Sequence, residues 1–278
     1  MLEGMNARRM ITVNTVVIPA KNEEKGIRQT LSNCQFLPVD AIIVVLNGCT
    51  DSTKEIITTS PFIEKLHLLE FSQPLGIDVP RAVGAAYAYK LGSDTILFLD
   101  GDMQGDISRQ LNELISGIKK ENLDMALTDC YPNIHPSSPL AIQVLSFREK
   151  LNRRLHLFSQ LRTATPSHGP HALSRRLLEQ VPWKALAVPP LSLAMAATLN
   201  LNIKVTTAIP HDFLLSPLRN DEHSTLIAET IIGDCLEALS YLEGLPLSRR
   251  HGDVTYLGYH PQRRFDLLEE FLQGLRLA

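Results

Sequence analysis

The first hundred residues alternate between short apolar blocks and amphipathic ones. Thr12 to Ile18 is β-branched and apolar, the pattern of a buried strand. Asn22 to Cys34 then sets Ile27, Leu31 and Cys34 at helical spacing. Ala41 to Leu46 (AIIVVL) is apolar throughout, which suits a parallel strand covered on both faces. Asp51 is placed to cap a short helix carrying Ile56 and Ile57. Leu66 to Phe71 predicts a third strand, Ala82 to Leu91 a close-packing helix of small residues, and Thr95 to Leu99 a buried strand. The order β-α-β-α-β-α-β predicts an open, doubly wound sheet.

The second half is more helical. Asp106 to Lys120 places Ile107, Leu111, Leu114, Ile115 and Ile118 on one face. Leu140 to Leu161 reads as one long helix carrying Arg148, Arg153 and Arg154, and Asn202 to Ala208 as a late strand ending before Pro210-His211-Asp212. Beyond about Ser216 the chain turns polar and then helical again, over Ser224 to Leu242 and Phe265 to Leu275. The expected division is a domain over 1–215 and a helical C-terminal appendage over 216–278.

In such a sheet, ligands sit beyond the carboxyl ends of the strands. Three polar clusters fall there: Lys21-Asn22-Glu23, Asn47-Gly48-Cys49-Thr50-Asp51 and Asp100-Gly101-Asp102. Their common edge predicts a site without any appeal to relatives.

Hydrophobic residues make up 44% and charged residues 21%, enough for a real core and a soluble surface. A net charge of −3 gives no broad basic field for nucleic acid. Cys34, Cys49, Cys130 and Cys235 form no Cys-x-x-Cys pair, which argues against a cysteine zinc site and for reduced thiols in the cytoplasm. Arg8 and Arg9 precede an apolar stretch that Pro19, Lys21 and Asn22 interrupt too early for a signal peptide, and no apolar run has the length of a membrane span.

Three stretches in order resemble the GT-A nucleotide-sugar glycosyltransferases. VVIPAKNEEKGIRQTL resembles their Pro-x-x-Asn-Glu strand end, and VVLNGCTDST their second strand and loop. PRAVGAAYAYKLGSDTILFLDGDMQGDIS resembles their Ala-Arg-Asn-x-Gly helix followed by Asp-x-Asp. This N-terminal half is similar to the dolichol-phosphate-mannose-synthase-like and cell-wall members. Further on, HGPHALSRRLLEQVPW resembles an acceptor-side segment, and the stretch to Pro210-His211 is similar to glucosyl-3-phosphoglycerate and mannosyl-3-phosphoglycerate synthases, which are retaining enzymes.

The resemblance implies a GT-A fold, a UDP- or GDP-sugar donor, Mn²⁺ or Mg²⁺ and a small-molecule acceptor. A hard cation with oxygen ligands neutralises a departing diphosphate. It implies metal ligation by Asp102 and His211, with Asp100 beside them toward the ribose. Donor binding falls to Pro19, Ala20, Asn22, Glu23, Asn47, Asp51, Arg81, Asp100 and Gly101, and acceptor binding to Arg162, His168 and Gly169. Arg81 would clamp the diphosphate or brace the Asp pair. Simpler readings stand beside these: a turn for Asp-Gly-Asp, dipole pairing for Glu23, a helix cap for Asp51 and an ordinary loop histidine for His211. His168 and His171 form a His-x-x-His pair with no further zinc ligand evident.

Inverting relatives often carry an acid just before the late strand's preceding helix. Here Ala187-Val188-Pro189-Pro190-Leu191-Ser192 has none, which points to retention or to a degenerate, non-catalytic sugar-nucleotide binder. A nucleotidyltransferase would need a Gly-rich loop where Ala20 to Glu24 stands, and a dehydrogenase a Gly-x-Gly-x-x-Gly fingerprint, which is absent. The C-terminal helices suit either a two-fold dimer contact or a cover for the sheet.

Overall fold

A computed structural model describes residues 13–133, 136, 138–217 and 220–277. The arginines at 8 and 9 lie outside the described residues. The chain runs β1 (Asn14–Ala20), α1 (Ile27–Ser32), β2 (Ala41–Asn47), α2 (Thr53–Thr58), β3 (Leu66–Phe71), α3 (Val79–Lys90), β4 (Thr95–Phe98) and α4 (Ser108–Lys120). It continues through β5 (Met125–Asp129), α5 (Pro139–Arg154), α6 (Phe158–Leu161), β6 (His171–Ser174), α7 (Arg175–Leu178), α8 (Trp183–Leu186), α9 (Pro189–Thr198) and β7 (Ile203–Ala208). Last come α10 (Asp221–Leu242), a hairpin of β8 (Arg250–His251) and β9 (Val254–Thr255), and α11 (Phe265–Leu275).

Seven strands form one sheet in the order β3-β2-β1-β4-β6-β5-β7. All neighbours pair in parallel except β6, which runs antiparallel to both β4 and β5. Side chains alternate across the sheet, as the pleat requires. Val16, Ile18, Ile42, Val44 and Leu97 enter the core beneath α1, α2 and α4. Val17, Ile43, Val45, Ile96 and Phe98 enter the other core, beneath α3 and the later helices. This two-sided burial explains the unbroken apolar runs of β1 and β2.

The predicted helix over 140–161 is two helices. His156 adopts φ 60° after α5, and the Asn152 side chain donates to the carbonyls of Arg162 and Ala164. That tie turns the chain back toward residues 165–169. Strands β5 and β6 went unread because each is too short for a period to show.

The C-terminal part packs into the same core as the sheet. Ala228, Ile232, Cys235 and Leu236 of α10 and Leu268 and Leu272 of α11 share a cluster with Val17, Ile43 and Ile96. Each buried Ile or Leu contributes about 1.5–3 kcal/mol. Gly84 lets α3 lie close on β1, since a Cβ there would stand 2.3 Å from Val17 Cγ1. That approach places Arg81, in the first turn of α3, at the carboxyl edge of β1 and β4.

Candidate functional site

The carboxyl ends of β1, β2 and β4 open onto a cavity of about 650 Å³. Pro19, Ala20, Glu23, Asn47, Arg81 and the Asp100-Gly101-Asp102 turn line it. Tyr131, Arg148, His168, Gly169 and His211, from α5 and the segments after β5, α6 and β7, line it as well. Two close approaches assemble this edge. Gly101 donates its N–H to the Pro19 carbonyl at 3.1 Å, and a Cβ on Gly101 would meet that oxygen at 3.0 Å. Gly105 donates to the Leu214 carbonyl at 3.0 Å, and a Cβ there would collide with the Phe213 carbonyl. The segment after β7 is thereby drawn onto the Asp turn, where Ser216 Oγ donates to Asp102 Oδ1 at 3.3 Å.

The two aspartates differ in circumstance. Asp100 accepts from Arg81 Nη2 on both oxygens, at 2.6 and 2.7 Å, while Arg81 Nη1 donates to Asp78 at 2.7 Å. Burial alone would lower the Arg81 pKa; the charges of Asp100 and Asp78 outweigh it and push it up. Asp100 is therefore neutralised by protein. Asp102 lines the cavity beside it and accepts from Ser216 Oγ.

Loop by loop, the sequence-predicted residues divide. Asn22 and Asp51 do not line the cavity. Asn22 adopts φ 58° and accepts from Thr50 N at 2.8 Å. Asp51 accepts from Thr53 Oγ1 at 2.6 Å and from Glu24 N at 3.1 Å. Burial would raise its pKa, but these hydrogen bonds hold it below the ordinary carboxylate value. Both residues sew the β1 loop to the β2 loop. Asn47 lines the cavity, yet its amide oxygen accepts from Leu75 N at 2.6 Å and its nitrogen donates to Gly76 O at 3.1 Å. It holds the 75–78 loop.

On the acceptor side, Arg162 is exposed and outside the cavity, at φ 51° with its carbonyl taken by Asn152. His168 and His171 part company. His168 Nε2 and His211 Nδ1 share a hydrogen bond at 3.1 Å, and Tyr131 stacks on His211 with 6.0 Å between centroids. Burial, with the charge of Arg148 next, drives the His168 pKa well down, so it stays a neutral imidazole near pH 7. His171 is buried in the sheet, stacked on Phe98 at 4.8 Å.

His171 carries a pH prediction. Burial pushes its pKa down to about 3, so the unfolded chain binds the extra proton first as pH falls. Stability should fall from about pH 6.5 downward by about 1.4 kcal/mol per pH unit for this group. Urea unfolding of the unaltered chain and His171→Leu at pH 7 and pH 5 checks it. Equal pH slopes for the two chains would rule the effect out.

Arg148 was legible only as one charge on a helix. It is 2% exposed and lines the cavity. It donates to Ser167 Oγ at 3.2 Å and lies 3.3 Å from His168 Nδ1; its Nε has no partner among the described residues. No carboxylate among them lies within ion-pair distance. Burial lowers its pKa. Its position on the apolar stripe with Val144, Phe147 and Leu151 is the sequence signal that marks it. Ala187 to Ser192, searched in sequence for a base, lies buried away from the cavity.

The family model described as glycosyl transferase family 2 matches residues 15–181. The chain belongs to glycosyl transferase family 2. Among curated proteins, the UDP-N-acetylglucosamine–dolichyl-phosphate N-acetylglucosaminyltransferase of Methanococcus voltae is 28% identical over 121 residues, 38% of this chain and 48% of that protein. An uncharacterised Methanocaldococcus jannaschii protein is 32% identical over 112 residues, 40% and 44% of the two chains. The chain thus matches about half the length of these curated relatives. Among solved structures, Mycobacterium tuberculosis glucosyl-3-phosphoglycerate synthase, in complex with Mn²⁺, UDP and phosphoglyceric acid, superposes with a TM-score of 0.61 at 18% identity. The match covers 86% of this chain and 81% of that one, and at this identity it establishes the GT-A fold.

Proposed function

We propose that the chain transfers a sugar from a UDP- or GDP-sugar to a small anionic acceptor, with Mn²⁺ or Mg²⁺ bound and with retention at the anomeric carbon. The observation that carries it is one cavity holding three things: an Asp-Gly-Asp turn braced by Arg81, His211, and a buried guanidinium without a carboxylate partner. Asp102 and His211 would hold the cation, with His168 as the ring that orients His211. One or two carboxylates plus substrate phosphates are the usual shell of a Mg²⁺-type site, so this donor set fits. When bound, the metal supplies charge neutralisation for the departing diphosphate.

Retention is supported by the acceptor end of the cavity. The carboxylates lining it are Glu23, Asp78, Asp100 and Asp102, all on the donor side; Asp129 and Asp212 do not line it. Among the described residues no carboxylate from α5 or from the segments after β5, α6 and β7 lines the cavity, and a retaining transfer lets the leaving phosphate oxygen take the acceptor proton. The same gap favours a second reading, a non-catalytic sugar-nucleotide binder. Thermal shift with UDP-, GDP- and ADP-sugars, with and without Mn²⁺, tests the donor assignment. A ligand present at 100 times its Kd adds about 2.7 kcal/mol to apparent stability. A metal-dependent rise with one nucleotide is expected; no rise at millimolar donor would sink the assignment. Turnover of the bound donor then separates enzyme from binder.

A further inference from the structure

Seven side chains alternate in sign from the cavity into the C-terminal part. Asp100 pairs with Arg81, Arg81 with Asp78 at 2.7 Å, and Asp78 with Arg263 at 3.0 Å. Arg263 pairs with Asp234 at 2.7 Å, Asp234 with Arg249 at 2.6 Å, and Arg249 with Glu237 at 3.1 Å. The Arg263 side chain is fully buried, and its fork bridges Asp78 and Asp234. Asp234, Glu237 and His260 have metal-ligand spacing, but Arg249 and Arg263 already hold those carboxylates.

Main-chain contacts follow the same path. Arg264 N donates to the Leu75 carbonyl at 2.9 Å, and a Cβ on Gly76, which adopts φ 84°, would stand 2.2 Å from the Gln262 carbonyl. Asn47 grips Leu75 and Gly76 from the β2 side. The 75–78 loop is thus held between β2 and the turn at 260–264, and Tyr259 and Gln262 of that region line the cavity themselves.

A buried ionic row is a weak source of stability, because desolvation offsets most of its attraction. What it does supply is orientation. Each guanidinium fork is fixed chiefly by the carboxylates it touches, so the direction in which Asp100 faces the cavity depends on Asp78 and on the Arg263–Asp234 pair behind it, whereas Glu237 reaches the row only through Arg249.

We infer that Arg263 and Asp234 are positioning residues of the donor site, acting on Asp100 through Asp78 and Arg81. The C-terminal turn then governs donor affinity across a sequence separation of 185 residues. The inference rests on the donor-site reading above. The test is calorimetric titration of the full chain with UDP or GDP in MnCl₂, alongside donor KM and kcat. Arg263→Lys and Asp234→Asn should weaken nucleotide binding about tenfold, as loss of a supporting partner commonly does, and raise donor KM while kcat at saturation holds. Glu237→Gln, at the far end of the row, should lower the melting temperature with binding unchanged. Should the single variants not fold, the paired Arg263→Met and Asp234→Leu exchange removes both charges at similar volume. Unchanged binding in folded variants, or equal weakening by Glu237→Gln, overturns the inference alone. No nucleotide binding by the unaltered chain overturns the donor-site reading with it.

Discussion

Asp102→Ala is expected to remove metal-dependent donor binding and to lower turnover about 10³-fold, roughly 4 kcal/mol of transition-state stabilisation. The melting temperature should stay within a few degrees of the unaltered chain, because Asp102 is only half-buried, at the cavity edge. Asp100→Ala should behave differently. It leaves Arg81, 10% exposed in its side chain, paired with Asp78 and near the charge of Asp102. Breaking a pair of this kind costs about 3–5 kcal/mol when fully buried, and less here because Asp100 keeps 29% of its side-chain surface. The two substitutions therefore separate ligand holding from site bracing. Turnover and thermal melts of both variants, with and without Mn²⁺, read the difference. An Asp102→Ala chain that keeps its metal-dependent melt shift would remove this residue from the donor site.

The donor half was legible because its signals are local. A β-branched run ending in Pro19-Ala20, an apolar run ending in Asn47 and a third ending in Asp100-Gly101-Asp102 announce parallel strands and their shared edge. Arg81 was expected as a diphosphate clamp or a brace for the Asp pair only through the resemblance to the family's Ala-Arg-Asn-x-Gly helix, and in the structure it holds Asp100. What the sequence hides is which of these residues spend their polar atoms on one another. Asn22, Asn47 and Asp51 look alike on paper. In the structure Asn22 and Asp51 bind neighbouring loops, while Asn47 lines the cavity and also grips the 75–78 loop. The histidine pair and the ionic row depend on pairings between distant segments. His168 meets His211 across 43 positions, and Arg263 meets Asp78 across 185, and no local period encodes either contact. The C-terminal helices read as an appendage because their apolar faces show only that they cover something. In the structure this helical C-terminal part shares the sheet's core, and Ile227, Ala228 and Ile231 of α10 line the cavity.

Arg148→Met should part stability from function. Burying a guanidinium without a carboxylate partner costs several kcal/mol, and the lowered pKa of Arg148 shows that its surroundings disfavour its charge. Met matches much of its length without the charge, so the unliganded variant should be as stable as the parent or more so, by up to roughly 4 kcal/mol on the precedent of buried ion groups exchanged for apolar ones. Acceptor recognition should move the other way. Losing this buried cation should raise acceptor KM about 100-fold, the worth of a charge-assisted contact of about 3 kcal/mol. Donor binding should change far less, since the hydrogen bonds of Arg148 run to Ser167 and His168 rather than to the Asp turn. Arg148→Lys should recover part of the KM, because a point charge replaces the fork without its geometry. Urea unfolding, nucleotide titration and acceptor kinetics on the three chains give the answer together. A less stable Arg148→Met chain with unchanged acceptor KM would make Arg148 a structural cation and leave the acceptor without its anionic handle. A more stable chain with a raised KM would mean that the fold carries this charge at a cost to itself, for a ligand that arrives with the opposite one.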